Sequence, residues 1–400
     1  MPSFAINRSR FLLLCLIGIT FRLVLTATSY GTNDANFWSG WASMVREVGV
    51  IRTYSITHMI NHPPAALAAA GAIAAAARAL DLAFIDLFRL VQIAADVVAA
   101  IALYSIGKSE SVDRGRALAL FVLLSPAAAF VSAFHCNSDS AMIALTVLAA
   151  RFAMPDRRAA AIAGLILACA VSVKIVPFLF VPLFLVAVGR QWPFFLGAFS
   201  VSAIASFLPA VVRGGPLLVR RIFGYGGGLP NEWGVTGWAV FLGNRITALR
   251  DPALNLYIWY RTFGRFVVYM GLIIATASLI RRGVTDRRRL LFGVAIIVMV
   301  LLTLAPGFGV QYIAWIIPLL PFAFRWRIAL SLNAIASLFL FITYSAWQGG
   351  WPWWYASVAN QNPYRYLGTV AGLVMWVVVA AALAYAVRSF RSEPTQERAG

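Results

Sequence analysis

Pro63 to Leu80 reads PPAALAAAGAIAAAARAL, and whether this stretch crosses a membrane decides the side on which every later loop lies. If it spans, Lys108, Arg114 and Arg116 fall on the outer face, with the basic run from Arg281 and Arg282 to Arg287, Arg288 and Arg289. If it lies along the surface, those cations face the cytoplasm, as do Arg157, Arg158, Arg190, Arg325, Arg327, Arg388 and Arg391. Only the second placement keeps Lys and Arg on the cytoplasmic side almost throughout. The stretch is rich in alanine rather than leucine, so its drive to insert is weak, and a proline pair suits a helix start. We therefore read 63–80 as a surface-lying or re-entrant helix.

Composition makes a membrane the setting. Hydrophobic residues are 61% of the 400-residue chain and charged residues 12%, with a mean hydropathy of +0.81. Soluble domains carry about 45–50% apolar and about 25% charged residues. The net charge of +19 sits in short segments between apolar runs, where it orients spans, so nucleic acid is not an expected partner. Cys15, Cys136 and Cys169 have neither a disulfide-framework nor a metal-ligand spacing. Asn7 to Arg10 precede an apolar run, Phe11 to Thr28, that is too long for a signal peptide, contains Arg22 and lacks a small-residue cleavage site. It reads as an uncleaved first helix with a cytoplasmic N-terminus.

A span needs about 20 apolar residues. The runs 11–28, 86–106, 117–134, 139–154, 159–173, 175–189, 193–212, 257–280, 288–305, 310–324, 327–346 and 366–387 predict about 12 spans. The expected fold is an all-α polytopic membrane protein with one domain over 1–400. It has a first external loop at 29–85 with interfacial helices, a long external loop at 213–256, and a cytoplasmic tail at 389–400. Polar segments 29–62, 135–138, 213–256 and 347–365 then share one face. They carry His58, His62, His135, Asp34, Glu232 and Asp251, with Asp139 directly after the second segment.

Candidate chemistry gathers in those segments. Asp34, in GTNDANFW, can deprotonate an acceptor hydroxyl at the membrane boundary, beside Trp38 and Trp41. A plainer role is the N-cap of a helix beginning near Ala35, and the aromatics could be an interfacial belt. His62, in NHPP, either lines a pocket or is a surface residue beside a Pro-Pro stop. In FHCNSDS, His135, Asn137 and Asp139 alternate and could face one cavity; an ordinary loop is the other reading. Lys174 interrupts an apolar run, which costs roughly 2.5–3.5 kcal/mol at a bilayer centre. It is therefore either functional or snorkels to the interface. Arg22 and Asp96 could pair with each other or with neighbouring helices. The outer arginines, among them Arg213, Arg220, Arg221, Arg245 and Arg250, break the positive-inside trend, and a lipid phosphate is the natural anion for them. Beside them, GYGGGLPNEWG is a loop ending in Glu232 and Trp233. Transfer of a sugar from a phospholipid carrier needs one base and cations on the phosphate; a phosphate leaves unprotonated, so no second acidic carboxylate is required.

These residues resemble the GT-C type of multi-spanning glycosyltransferases. In the N-glycan glucosyltransferase branch an Asp with following aromatics precedes a Tyr-Pro-Pro-Leu motif. Asp34, Trp38 and His62-Pro63-Pro64-Ala65 look similar, with His in place of Tyr. Arg89 and Asp96 resemble the family's Arg-plus-Asp helix, and Ser125-Pro126 followed by His135, Asn137 and Asp139 its Asn-Pro and polar turn. Val173-Lys174-Ile175-Val176-Pro177 is similar to the lysine-proline helix of dolichyl-phosphate-mannose-dependent enzymes. Pro306 to Tyr312, including Gln311 and Tyr312 ahead of Trp315, is similar to a late external turn in bacterial members. The metal-binding acidic pairs of oligosaccharyltransferases are missing, so no cofactor and no metal is expected.

The resemblance implies an inverting transfer of a hexose, mannose favoured, from a polyprenyl-phosphate carrier to a lipid-linked or envelope glycan. Asp34 would be the base, and Arg220, Arg221 and Lys174 the phosphate contacts. His62, His135, Asn137, Asp139, Trp38, Glu232, Gln311 and Tyr312 would shape the substrate site. A bacterial inner membrane, with the site facing the periplasm, is the implied location. A transporter or flippase of lipid-linked sugars is the alternative, and a surface-polysaccharide polymerase a third reading.

Overall fold

The computed structural model describes residues 6–224, 233–307 and 309–392. Its first half runs α1 (Arg8–Ala27), α2 (Asn33–Val48), α3 (Val50–Ile56), α4 (Pro64–Ala79), α5 (Phe84–Lys108), α6 (Val112–Leu123), α7 (Pro126–Ala129), α8 (Asp139–Phe152) and α9 (Arg157–Val173). Then come α10 (Val181–Ala187), α11 (Trp192–Phe223), α12 (Gly234–Arg245), α13 (Arg250–Arg281), α14 (Arg287–Leu304), α15 (Leu320–Ala323), α16 (Trp326–Gln348) and α17 (Arg365–Ser392). A π-helical turn covers Phe130–His135, and 3-10 segments precede α10 and α15. This is an all-α membrane protein.

Every apolar run of the sequence is helical, but helix lengths do not give twelve spans. Among the described residues, 6 helices are long and apolar enough to cross a bilayer, or 7 if α6 and the segment Pro126–His135, bent by 48°, form one broken span. The break falls at Ser125-Pro126, where proline cannot continue a helix. Ser125 Oγ instead accepts from the Ala128 amide at 3.2 Å. Helix α4 has 16 residues, or about 24 Å of rise against a hydrocarbon core of about 30 Å. It is too short to span alone.

The main core surrounds α14, whose residues from Arg289 to Val300 are buried on all sides. A smaller core lies under the first loop, where Trp38, Tyr54, Leu67 and Phe88 are buried together. Small residues let helices approach in place of leucine packing, as membrane bundles require. A Cβ on Gly164 of α9 would lie 2.2 Å from the Phe195 carbonyl oxygen of α11. Gly164→Ala must push these helices apart and is expected to cost about 1–3 kcal/mol, read as a lower unfolding temperature in detergent.

Buried charges fix the first helices. Arg22 pairs with Asp96 at 2.9 Å, both buried, and also donates to the Gly18 and Val122 carbonyls at 3.0 Å each. Arg89 binds Asp86 at 2.7 Å and ties off the end of α1 through the Thr26 and Ser29 carbonyls at 3.1 and 3.0 Å. Of the two options for Arg22 and Asp96, pairing with each other is the one found. Arg22 reaches Asp96 across the helix pair, whereas Asp86 lies one turn before Arg89 on the same helix.

The four polar segments converge. Gly31 and Thr32 (β1) pair in parallel with Tyr355 and Ala356 (β2). Thr32 Oγ1 donates to the His135 carbonyl at 2.8 Å, and Arg221 donates to the carbonyl and ring of His58.

Candidate functional site

Thr32, not Asp34, caps α2: its Oγ1 accepts from the Asp34 amide at 3.3 Å. That frees the Asp34 carboxylate, in the first turn, to face the π-helical turn. Such turns displace side chains from regular helical register and are frequent at functional sites. Here the turn ends in Cys136 with φ 64°, a left-handed residue that separates His135 from Asn137. Asn137 Nδ2 donates to Asp34 Oδ2 at 2.5 Å, and His135 Nε2 lies 3.2 Å from the same oxygen.

Burial by itself would raise the pKa of the Asp34 carboxyl, but His135, the Asn137 amide and His62 outweigh it and hold the pKa below the ordinary carboxylate value. Asp34 is therefore ionised at neutral pH, although its side chain retains 22% exposure, enough for a substrate to reach it. His62 goes the other way: burial first, then the charge of Lys174, push it down to about 3 against the pull of Asp34. It stands as a neutral ring 4.6 Å from Trp38 and 5.7 Å from Trp41. Its carbonyl is held by the Tyr54 hydroxyl.

Asp139 turns away from Asp34 toward a second pair. Its Oδ1 accepts from Lys174 Nζ at 2.6 Å and from Trp315 Nε1 at 2.6 Å. Helix α9 ends at Val173, so Lys174 is an extended residue rather than a mid-helix one. Its ammonium lies 4.4 Å from the centre of the Tyr312 ring and 5.1 Å from that of Trp315, rings themselves stacked at 4.1 Å. Lysine has three donors, so a cation in this aromatic corner can still meet an anion. The two carboxylates belong to one neighbourhood: buried Tyr344 stacks on His135 at 5.7 Å and lies within electrostatic reach of both Asp34 and Asp139.

Among the described residues, the buried His62 Nδ1, His135 Nδ1, Asp139 Oδ2 and Tyr344 hydroxyl have no hydrogen-bond partner. A buried polar group left unpaired costs about 1–3 kcal/mol. Their concentration around two carboxylates is what a site awaiting a polar ligand looks like.

The structure thus brings together Asp34, Trp38, His62, His135, Asn137, Asp139, Lys174 and Tyr312. Trp38 is fully buried behind His62, so it supports the pocket rather than touching a ligand. Gln311 is buried one turn from Trp315, its side chain folded over Gly309. Arg220 and Arg221 sit at the end of α11, Arg221 donating to His58 and Arg220 exposed, and among the described residues no hydrogen bond or ion pair joins either to the Asp34 cluster. Glu232 lies outside the described residues. Sequence reading missed Tyr344, whose only signal is a hydroxyl inside an apolar helix. Among the described residues no group of three or more His, Cys, Asp or Glu could hold a metal ion. No protein-family model and no curated protein matches the chain.

Proposed function

We propose that the protein is an inverting glycosyltransferase that moves a hexose from a polyprenyl-phosphate carrier to a lipid-linked or envelope glycan. The observation that carries this reading is the partly exposed Asp34 carboxylate, oriented by Asn137 and His135 with unpaired buried polar atoms around it. As the acceptor oxygen bonds to the anomeric carbon, the bond from that carbon to the phosphate oxygen breaks and Asp34 takes the hydroxyl proton. The carrier leaves as its phosphate without needing an acid. Lys174, among aromatic rings, is the cation best placed to meet that phosphate. His62 stays neutral and so shapes the pocket without donating a proton. Mannose as the sugar, and a bacterial inner membrane with the site facing the periplasm, complete the proposal.

The buried Lys174–Asp139 pair favours a second reading, since intramembrane ion pairs also serve transport: a flippase of lipid-linked sugar. Proteoliposomes carrying radiolabelled polyprenyl-phosphate mannose and a mixed glycolipid acceptor distinguish the two. The proposal predicts label on the acceptor; label crossing the bilayer with no transfer supports the flippase.

A further inference from the structure

A cleft of about 870 Å³, with Tyr54 in its lining, opens between α3, α4 and α11. Its floor is apolar, built from Val50, Ile51, Ala65, Ala68, Leu217 and Leu218, and its wall carries two guanidinium groups, Arg52 and Arg213, with no carboxylate. Neither guanidinium has an ion-pair or hydrogen-bond partner among the described residues, and both side chains are exposed. Two free arginines on one apolar cleft, without an acid, are complementary to an anion that brings its own hydrocarbon.

Position says where that anion comes from. Arg213 is 21 residues beyond Trp192 along α11, about 32 Å of helix, which is one hydrocarbon thickness. The flank of α11 leading up to it is bare, with Val201, Leu208 and Val212 exposed by 69%, 52% and 73%. A molecule sliding along that lipid-facing flank arrives at the cleft with its head at the boundary. The neighbouring groove of about 360 Å³ beside Phe178 and Phe199 is lined by apolar side chains alone and offers nothing to a phosphate.

The inner wall of the cleft is the segment that positions the site. Tyr54 lines it while its hydroxyl holds the His62 carbonyl, and Pro64, two residues after His62, lines it as well. The cleft that Arg52 and Arg213 line thus shares Tyr54 with the His62 end of the site.

We infer that this cleft is the docking port for the phosphate head of a membrane-borne polyisoprenyl phosphate, with Arg52 and Arg213 holding the phosphate and the floor taking the first isoprene units. Only the choice of a polyisoprenyl lipid depends on the proposed function; the phosphate and the hydrocarbon follow from the cleft.

The test is photocrosslinking in phosphatidylcholine nanodiscs with a diazirine-bearing polyprenyl monophosphate, with no sugar present, the labelled peptides being located by mass spectrometry. The expected result is label within 50–68 and 205–218, reduced about tenfold or more by the R52Q/R213Q double variant, since charge-assisted hydrogen bonds contribute factors of that order. Both side chains are exposed and unpaired, so this variant should fold, and Asp34→Asn should label like the wild type. A polyprenol without phosphate is expected to label at most weakly, and inorganic phosphate not to compete. Label concentrated at Phe178 and Phe199, undiminished labelling of R52Q/R213Q, or equal competition by phosphatidylglycerol would each overturn the inference. Labelling that obeys the expectation while no sugar transfer is found would leave the port standing and remove the glycosyltransferase reading.

Discussion

Asp34→Asn is expected to lower sugar transfer by about 10²–10⁴-fold, the range a positioned general base supplies, while leaving the unfolding temperature close to wild type. The second half of that expectation is specific. Thr32 rather than Asp34 caps α2, and an asparagine can keep a hydrogen bond to Asn137, so removing the charge should not loosen the loop. Loss of activity together with loss of fold would instead make Asp34 a structural anchor.

The same site fixes the pH profile. Asp34 has its pKa lowered, so it is already ionised throughout the neutral range, and transfer should show no acid limb from it above the ordinary carboxylate pKa of 3.8. Its contribution to stability is present above that value and lost as pH falls through the lower folded-state value. His62 has a wider window. It is neutral when folded down to about 3 but takes a proton near 6.5 when unfolded, so the unfolded state binds more protons between those values. Stability should therefore decline as pH falls from 6.5 toward 3, measurable as a falling unfolding temperature, and His62→Gln should flatten that slope. An apparent pKa near 6 in transfer that disappears in Asp34→Asn would contradict this electrostatic picture.

Lys174→Met is the second large effect. It leaves the Asp139 carboxylate buried beside Trp315 with no cation, and breaking a buried pair from one side costs about 3–5 kcal/mol. Lys174→Met/Asp139→Asn, in which the amide oxygen still accepts from Trp315, should recover much of that stability. Function is expected to separate from stability here: if Lys174 meets the carrier phosphate, the double variant folds but shows KM for the lipid donor raised about tenfold or more. A double variant with wild-type KM would return Lys174 to a structural role.

The helices were legible because apolar runs of this length have few alternatives, and Pro63-Pro64 and Ser125-Pro126 mark real starts and breaks. The apolar run 193–212 lies within α11, which bends at Gly215, where φ is 58°, before continuing to Phe223. Helix length alone accounts for six or seven of the expected spans among the described residues, since short runs such as 175–189 and 310–324 fold as 3-10 turns joined to brief α-helices. In the site, residue types were legible and partners were not. The alternation of His135, Asn137 and Asp139 suggested one shared cavity; the π turn and left-handed Cys136 send the first two to Asp34 and the third to Lys174. Asp34 and Asn137 are 103 positions apart, so no local pattern could pair them.

The central claim is that Asp34 works as a base in a single displacement. Its most direct test is the anomeric configuration of the product formed from a polyprenyl-phosphate mannose of defined anomer, read by NMR. The account predicts inversion with no covalent sugar on Asp34. A product of retained configuration, with a trapped glycosyl ester on Asp34, would make that carboxylate a nucleophile and contradict the account.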